Sequence, residues 1–119
     1  MTCATQEKND VQSIAHAKAH KVIEKYLEHL DCNIVDEPCG RFEFIYEDGD
    51  TLAFAGLDVS VQMPFPKTDI TREEFEEYSA SYLIAHPEFV NTRVRFDAIS
   101  LCVLNGSCAY IRRIEGCCL

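Results

Sequence analysis

The segment Arg41-Phe-Glu-Phe-Ile-Tyr-Glu-Asp-Gly-Asp-Thr-Leu-Ala-Phe-Ala-Gly-Leu-Asp-Val59 constrains the fold more than any other part of the chain. Phe42, Phe44 and Tyr46 alternate with Arg41, Glu43 and Ile45, which is the two-residue period of a strand. Glu47-Asp-Gly-Asp50 then supplies turn chemistry, and small and apolar residues from Leu52 to Val59 form a second strand. Each strand carries an acidic residue, Glu43 in the first and Asp58 in the second.

Helical patterns flank this pair. Val11, Ile14, Ala15, Ala19, Val22, Ile23, Tyr26, Leu27 and Leu30 recur at three and four residue spacing, which predicts a helix from about Asp10 to Leu30 with one buried face. Asn9 or Asp10 is available as its N-cap, and residues 1–9 read as a flexible leader. A short strand, Asn33 to Asp36, precedes Pro38 and Gly40. Pro64 and Pro66 hold the stretch from Gln62 to Asp69 as an extended loop. Thr71-Arg-Glu-Glu74 fits a capping box, and Phe75, Tyr78, Tyr82 and Leu83 continue a helical stripe to about His86, where Pro87 stops it. Finally Arg93 to Leu104 and Cys108 to Ile114 alternate across Asn105-Gly106, a strong two-residue hairpin signal. The division expected is a leader over 1–9, one domain over 10–116 and a tail over 117–119.

The stretches Gly40-Arg-Phe-Glu-Phe-Ile45 and Leu52-Ala-Phe-Ala-Gly-Leu-Asp58 are similar to the paired motifs GEIDLI and LVFVEVK of the YraN family of small bacterial proteins. Val94-Arg-Phe-Asp-Ala-Ile-Ser100 resembles that family's VRFDVI strand, and Tyr26-Leu27 gives a weaker match near the end of the first helix. The resemblance spans most of residues 16–115. It implies a restriction endonuclease-like αβββαβ core, an α/β fold in which a mixed sheet is flanked by two helices and followed by a C-terminal β-hairpin. It also implies a metal site of the PD-(D/E)xK type, although fold alone does not establish activity.

Carried over residue by residue, the resemblance places the family's first strand aspartate on Glu43, its second strand glutamate on Gly56, its lysine on Asp58 and its first-helix glutamate on His20. Nucleases of this type hold Mg²⁺ with two or more oxygen ligands and keep a cation near the developing charge. Glu43 and Asp58 are therefore the catalytic and metal candidates, as a degenerate pair that could hold Mg²⁺ but lacks the lysine. Asp97 is a candidate third ligand or a paired structural aspartate, with Arg95 or Arg112 as its partner. No metal is required by the remaining pattern. His16 and His20 stand one turn apart, without an HExxH context or an acidic third ligand read beside them, and so are expected to be flank residues.

The charge balance bears directly on substrate class. Twenty acidic against 11 basic side chains give a net charge of −9, which disfavours nucleic acid because phosphate binding is driven by cationic neutralisation. Arg93, Arg95, Arg112 and Arg113 on the last two strands are the candidate nucleic-acid contacts, weighed against salt-bridge and edge-protecting roles. Family relatives carry cations at the start of the second helix, where this chain has Glu73, Glu74, Glu76 and Glu77. Such glutamates also complement a helix dipole in any protein.

The seven cysteines lack paired CxxC knuckles, and no apolar signal segment or membrane-length stretch is present, so a cytoplasmic, reducing setting is expected. Cys102 and Cys108 would face different sides of a two-residue hairpin, which disfavours a bridge, and Cys117-Cys118 read as an exposed oxidisable tail. One domain of 119 residues with 47% hydrophobic content is long enough for a single core. Three functional expectations follow: a catalytically silent nuclease-fold protein with residual nucleic-acid binding, an acidic module for a protein partner or self-association, and a weak metal-dependent endonuclease. None involves a membrane.

Overall fold

The structure is a computed structural model that describes residues 3–38, 40–61, 63–104 and 108–117, with the backbone alone at 3–14 and 108. Helix α1 (Cys3–His29) leads into strands β1 (Asn33–Asp36), β2 (Phe44–Asp48) and β3 (Thr51–Ser60). Helix α2 (Arg72–Ala85) and a 3-10 turn at Pro87–Phe89 then connect to β4 (Arg93–Leu104) and β5 (Cys108–Ile114). The five strands form one sheet in sequence order. All neighbours are antiparallel except β3 and β4, which run parallel because α2 carries the chain back across the sheet. The result is an α/β fold whose mixed sheet is flanked by two helices, in the element order that the resemblance implies.

The core follows from strand alternation. Phe44, Tyr46, Ala53, Ala55, Leu57, Ile99 and Leu101 meet Ala19, Ile23 and Leu27 of α1 on one face. Ile45, Leu52, Phe54 and Phe96 meet Phe42, Ile70 and Phe75 on the other, with Tyr78 and Tyr82 of α2 closing that layer. Since β3 is covered on both sides, it is buried without interruption from Leu52 to Leu57. The β2–β3 turn places Gly49 at φ 63°, a conformation that favours glycine at the first position of a tight hairpin loop.

Both ends of α2 form as their chemistry predicts. Thr71 Oγ1 accepts from the Glu74 amide at 3.2 Å, and Glu74 Oε1 accepts from the Thr71 amide at 3.4 Å. The helix ends at Ala85, just before His86 and Pro87.

Several sequence expectations change. Helix α1 starts at Cys3 rather than near Asp10, because Ala4, Gln6, Glu7 and Lys8 are good helix formers and neither Gly nor Pro interrupts them. Val22 and Leu30, expected on the buried face, are 40% and 41% exposed. The sheet buries the row of Ala19, Ile23 and Leu27, with Tyr26 partly covered beside it, and Leu30 lies beyond the helix end. Leu104 pairs with Cys108, so three residues rather than two join β4 and β5. The Asn105-Gly106 turn itself, and the side chain of Cys108, lie outside the described residues. Cys117 is not an exposed tail: it is half-buried against the α2-side core, and its amide donates to the Phe96 carbonyl at 2.7 Å. Cys118 lies outside the described residues.

Candidate functional site

A notch opens where β2 ends against its longer neighbour. Phe44 pairs with Ala55, and the chain before Phe44 leaves the ladder after one more bond, from the Glu43 amide to the Ala55 carbonyl at 2.8 Å. From Gly56 to Ser60, β3 pairs with β4 on one side, and the edge that β2 vacates is lined by side chains from α1 and from the loops. His16, Arg41, Glu43, Asp58, Asp69 and Ile70 surround a cleft of ≈220 Å³ there. A second cleft of ≈350 Å³ joins His16, His20, Glu37 and Glu43. Glu43, Asp58 and His20, which the resemblance aligned with a metal site, are therefore gathered at one end of the sheet.

Their chemistry differs from that of an oxygen-ligated metal site. Glu43 is held by α1, with His16 Nε2 in close contact with Oε1 and His20 Nδ1 2.9 Å from Oε2. The ring of His20 stacks on Phe44 with centroids 4.4 Å apart, and its Nε2 lies 3.0 Å from Glu37 and 3.1 Å from Glu24. Burial works against the charged His20 imidazolium, yet hydrogen bonds to Glu43 and Glu37 outweigh it and raise the pKa above its ordinary value. Glu24 is raised too, first by a hydrogen bond shared with Glu37 and then by desolvation.

Gly56 brings no carboxylate to the notch, and its missing side chain leaves no vacant space. A Cβ at this position would stand 2.6 Å from Ile70 Cδ1 and 3.4 Å from the Arg41 carbonyl oxygen. Burial and then the Asp69 carboxylate hold the Asp58 carboxyl above its ordinary pKa, with Arg41 acting in the opposite direction. Arg41 itself is engaged by Asp69 at 3.0 Å and Glu74 at 3.1 Å. A hard cation such as Mg²⁺ needs several free oxygen ligands. Glu43, taken up by two imidazoles, and Asp58, whose charged form burial and the Asp69 carboxylate disfavour, do not fit that requirement.

The four strand arginines lie away from the notch, with Arg95 and Arg113 gathered around Asp48, Tyr46 and Asp97 and the other two apart from them. Arg95 grips the fully buried Asp97 with Nε and Nη2 at 2.7 and 2.8 Å and reaches Asp48 at 2.9 Å. Tyr46 donates its hydroxyl to Asp97, and the Gly116 amide donates to the same carboxylate at 3.2 Å. Arg113 donates to the Tyr46 oxygen at 3.3 Å and pairs with Glu115. Asp97 is thus a structural aspartate paired with Arg95 rather than with Arg112. Arg112 emerges on the opposite face, its guanidinium 5.0 Å from the centre of the Phe65 ring and its buried Nε without a hydrogen-bond partner. Arg93 is exposed at the start of β4.

Sequence reasoning named Glu43 and Asp58, read His16 and His20 as flank residues although both contact Glu43, and passed over Glu24 and Glu37. Glu24 carried a local signal, since His16, His20 and Glu24 recur every four residues along one flank of α1. Glu37 carried none, because its approach depends on how the β1–β2 connection folds back toward the helix. Among the described residues, no helix is long and apolar enough to cross a membrane. No protein-family model matches the chain, and no curated protein matches it.

Proposed function

We propose that this chain is a nuclease-type fold that no longer cleaves phosphodiesters, and that its acidic notch and the start of α2 bind a basic protein segment rather than nucleic acid. The observation that carries the reading is Ile70 packed into the space beside Gly56. Metal-assisted cleavage needs a carboxylate there and a cation nearby, and this chain has an isoleucine methyl and Asp58 instead. The partner class follows from charge. Glu37, Asp69, Glu73 and Glu77 are exposed around the notch and the first turns of α2, while Arg41 is already paired.

The test compares two probes at several salt concentrations: labelled duplex, branched and single-stranded DNA, and a lysine-rich peptide. Peptide binding that weakens on Glu73→Lys and Glu77→Lys, with no DNA binding even at low salt, is the expected result. A second reading, residual nucleic-acid binding, draws on Arg93 and Arg112, neither of which has a carboxylate partner among the described residues. DNA affinity that falls steeply with salt and is lost on Arg93→Ala and Arg112→Ala would replace the first. DNA cleavage in Mg²⁺ or Mn²⁺ that disappears in Glu43→Ala would overturn the silence of the site and restore the endonuclease reading.

A further inference from the structure

His20, Glu24 and Glu37 converge from two parts of the chain. The helix supplies the first two, one turn apart, and the segment after β1 supplies the third. Their nearest donor atoms, one from each residue, all lie within 4.8 Å of one another. His20 Nε2 is 3.0 Å from Glu37 Oε1 and 3.1 Å from Glu24 Oε1. A cation bound at ~2.0–2.2 Å by an imidazole nitrogen and carboxylate oxygens requires donors roughly 3.0–3.5 Å apart, so two of the three edges already have the required length.

The orientation of the imidazole is a second, independent feature. Its Nδ1 lies 2.9 Å from Glu43 Oε2, and its plane is fixed by stacking on the buried Phe44. With a proton on Nδ1 donated to Glu43, a metal that displaces the Nε2 proton would find that nitrogen facing Glu24 and Glu37. Histidine ligands of transition metals are commonly oriented by such a carboxylate on the far nitrogen. His16, which contacts the other oxygen of Glu43, helps to hold that carboxylate in place.

We infer that His20, Glu24 and Glu37 bind a divalent transition metal, Zn²⁺ or a first-row neighbour, with Glu43 orienting the histidine. The mixed nitrogen and oxygen donors favour such an ion over Mg²⁺ or Ca²⁺. The site differs from the oxygen-ligand site implied by the resemblance, because Glu43 contacts the imidazole instead of the metal and Asp58 takes no part. All three ligands are partly open to solvent, which leaves coordination positions for water or a bound group.

The full chain, kept reduced, is titrated with Zn²⁺ by calorimetry and with Co²⁺ by visible spectroscopy. One equivalent is expected to bind. His20→Gln and Glu37→Gln should each weaken it at least tenfold, Glu43→Gln about tenfold through the lost orientation, and Glu88→Gln, exposed in the turn before β4, not at all. The Co²⁺ spectrum should lack a thiolate charge-transfer band. Binding that survives His20→Gln and Glu37→Gln, binding through thiolates, or no binding by the folded protein would each overturn the inference. Circular dichroism checks that each variant is folded. If His20→Gln is not, Glu37→Gln at its exposed position decides.

Discussion

Ile70 Cδ1 lies 2.6 Å from the point that a Cβ on Gly56 would occupy, so the loop before α2 and the bare position on β3 are fitted to each other. The contact links a fold-level feature to a chemical one. Ile70 is buried with Phe54, Phe75 and Phe96, and the same side chain closes the notch against any group growing out from Gly56.

Coupling between these two residues is the first prediction. Gly56→Ala should cost about 1–3 kcal/mol by overpacking, and Ile70→Val, which deletes the Cδ1 methyl, about 0.5–1.5 kcal/mol. The double variant should be more stable than the sum predicts by at least about 0.5 kcal/mol in urea unfolding. Strict additivity would mean that the two side chains do not compete for one space.

Asp58 gives a pH dependence of defined sign. Its folded-state pKa is raised, first by burial and then by Asp69, so the folded chain holds this proton more tightly than the unfolded chain does. The contribution to stability is present below the unfolded pKa of about 3.9 and is lost as pH rises through the raised folded value. Asp58→Asn should therefore melt roughly 2–4 °C higher than the parent at pH 7 and show little difference near pH 3. An equal or lower melting temperature for the variant at pH 7 would contradict the burial account.

The Arg95–Asp97 pair separates structural from nucleic-acid roles. Removing Arg95 leaves the buried Asp97 carboxylate with only Tyr46 and the Gly116 amide, and Arg95→Ala should cost about 3–5 kcal/mol. Arg93→Ala, at an exposed position, should stay within about 0.5 kcal/mol of the parent. Chemical denaturation measures both. Comparable stabilities for the two variants would show that Arg95 is free for other contacts.

Tyr46 holds a junction between two arginines and one aspartate. Its hydroxyl donates to Asp97 and accepts from Arg113, so Tyr46→Phe removes a donor and an acceptor within the core while preserving ring packing. A loss of about 1–3 kcal/mol is expected, without change in secondary structure. A neutral substitution would place those polar atoms in contact with water.

Thr71→Ala tests the start of α2. The capping box satisfies the amides of Glu74 and Thr71, and its removal should cost about 1 kcal/mol. Glu74 also receives Arg41, so the variant should loosen the rim of the notch, seen as faster amide exchange in the first turn of α2. Unchanged exchange there would limit Thr71 to a purely local role.

Wherever side-chain period or a local motif fixed an element, the sequence was sufficient. The placing of Phe44 and Tyr46 on one face of β2, the Thr71-to-Glu74 capping box and the alternating last strands are each encoded within a few residues, since strand faces and caps are short-range devices, whereas Phe42 lies before β2 and packs on the opposite face. The start of α1 was less clear because Asn9 and Asp10 look like caps but lie within a longer helix-forming run. Glu43 and Asp58 could be named in advance, and the notch where β2 ends gathers them with the two histidines read as flank residues.

What those residues do there depended on tertiary packing. No local pattern indicates that Ile70 fills the space at Gly56, that Glu37 reaches His20, or that Arg113 turns inward to Tyr46, because each contact joins residues at least 14 positions apart. Arg95 and Asp97 stand two positions apart and their pairing was one of two alternatives legible in the sequence, whereas the contacts from β2 and the chain after β5 that enclose the pair were not. The sequence by itself determined the order of helices and strands and the acidic balance, which follow from periodicity and composition, while the mixed sheet between two helices was what the resemblance implied. Only the tertiary structure decided that one carboxylate is held by two histidines and that most of the strand arginines have partners within the fold, because partner choice is set by which side chains the sheet and helices bring within reach.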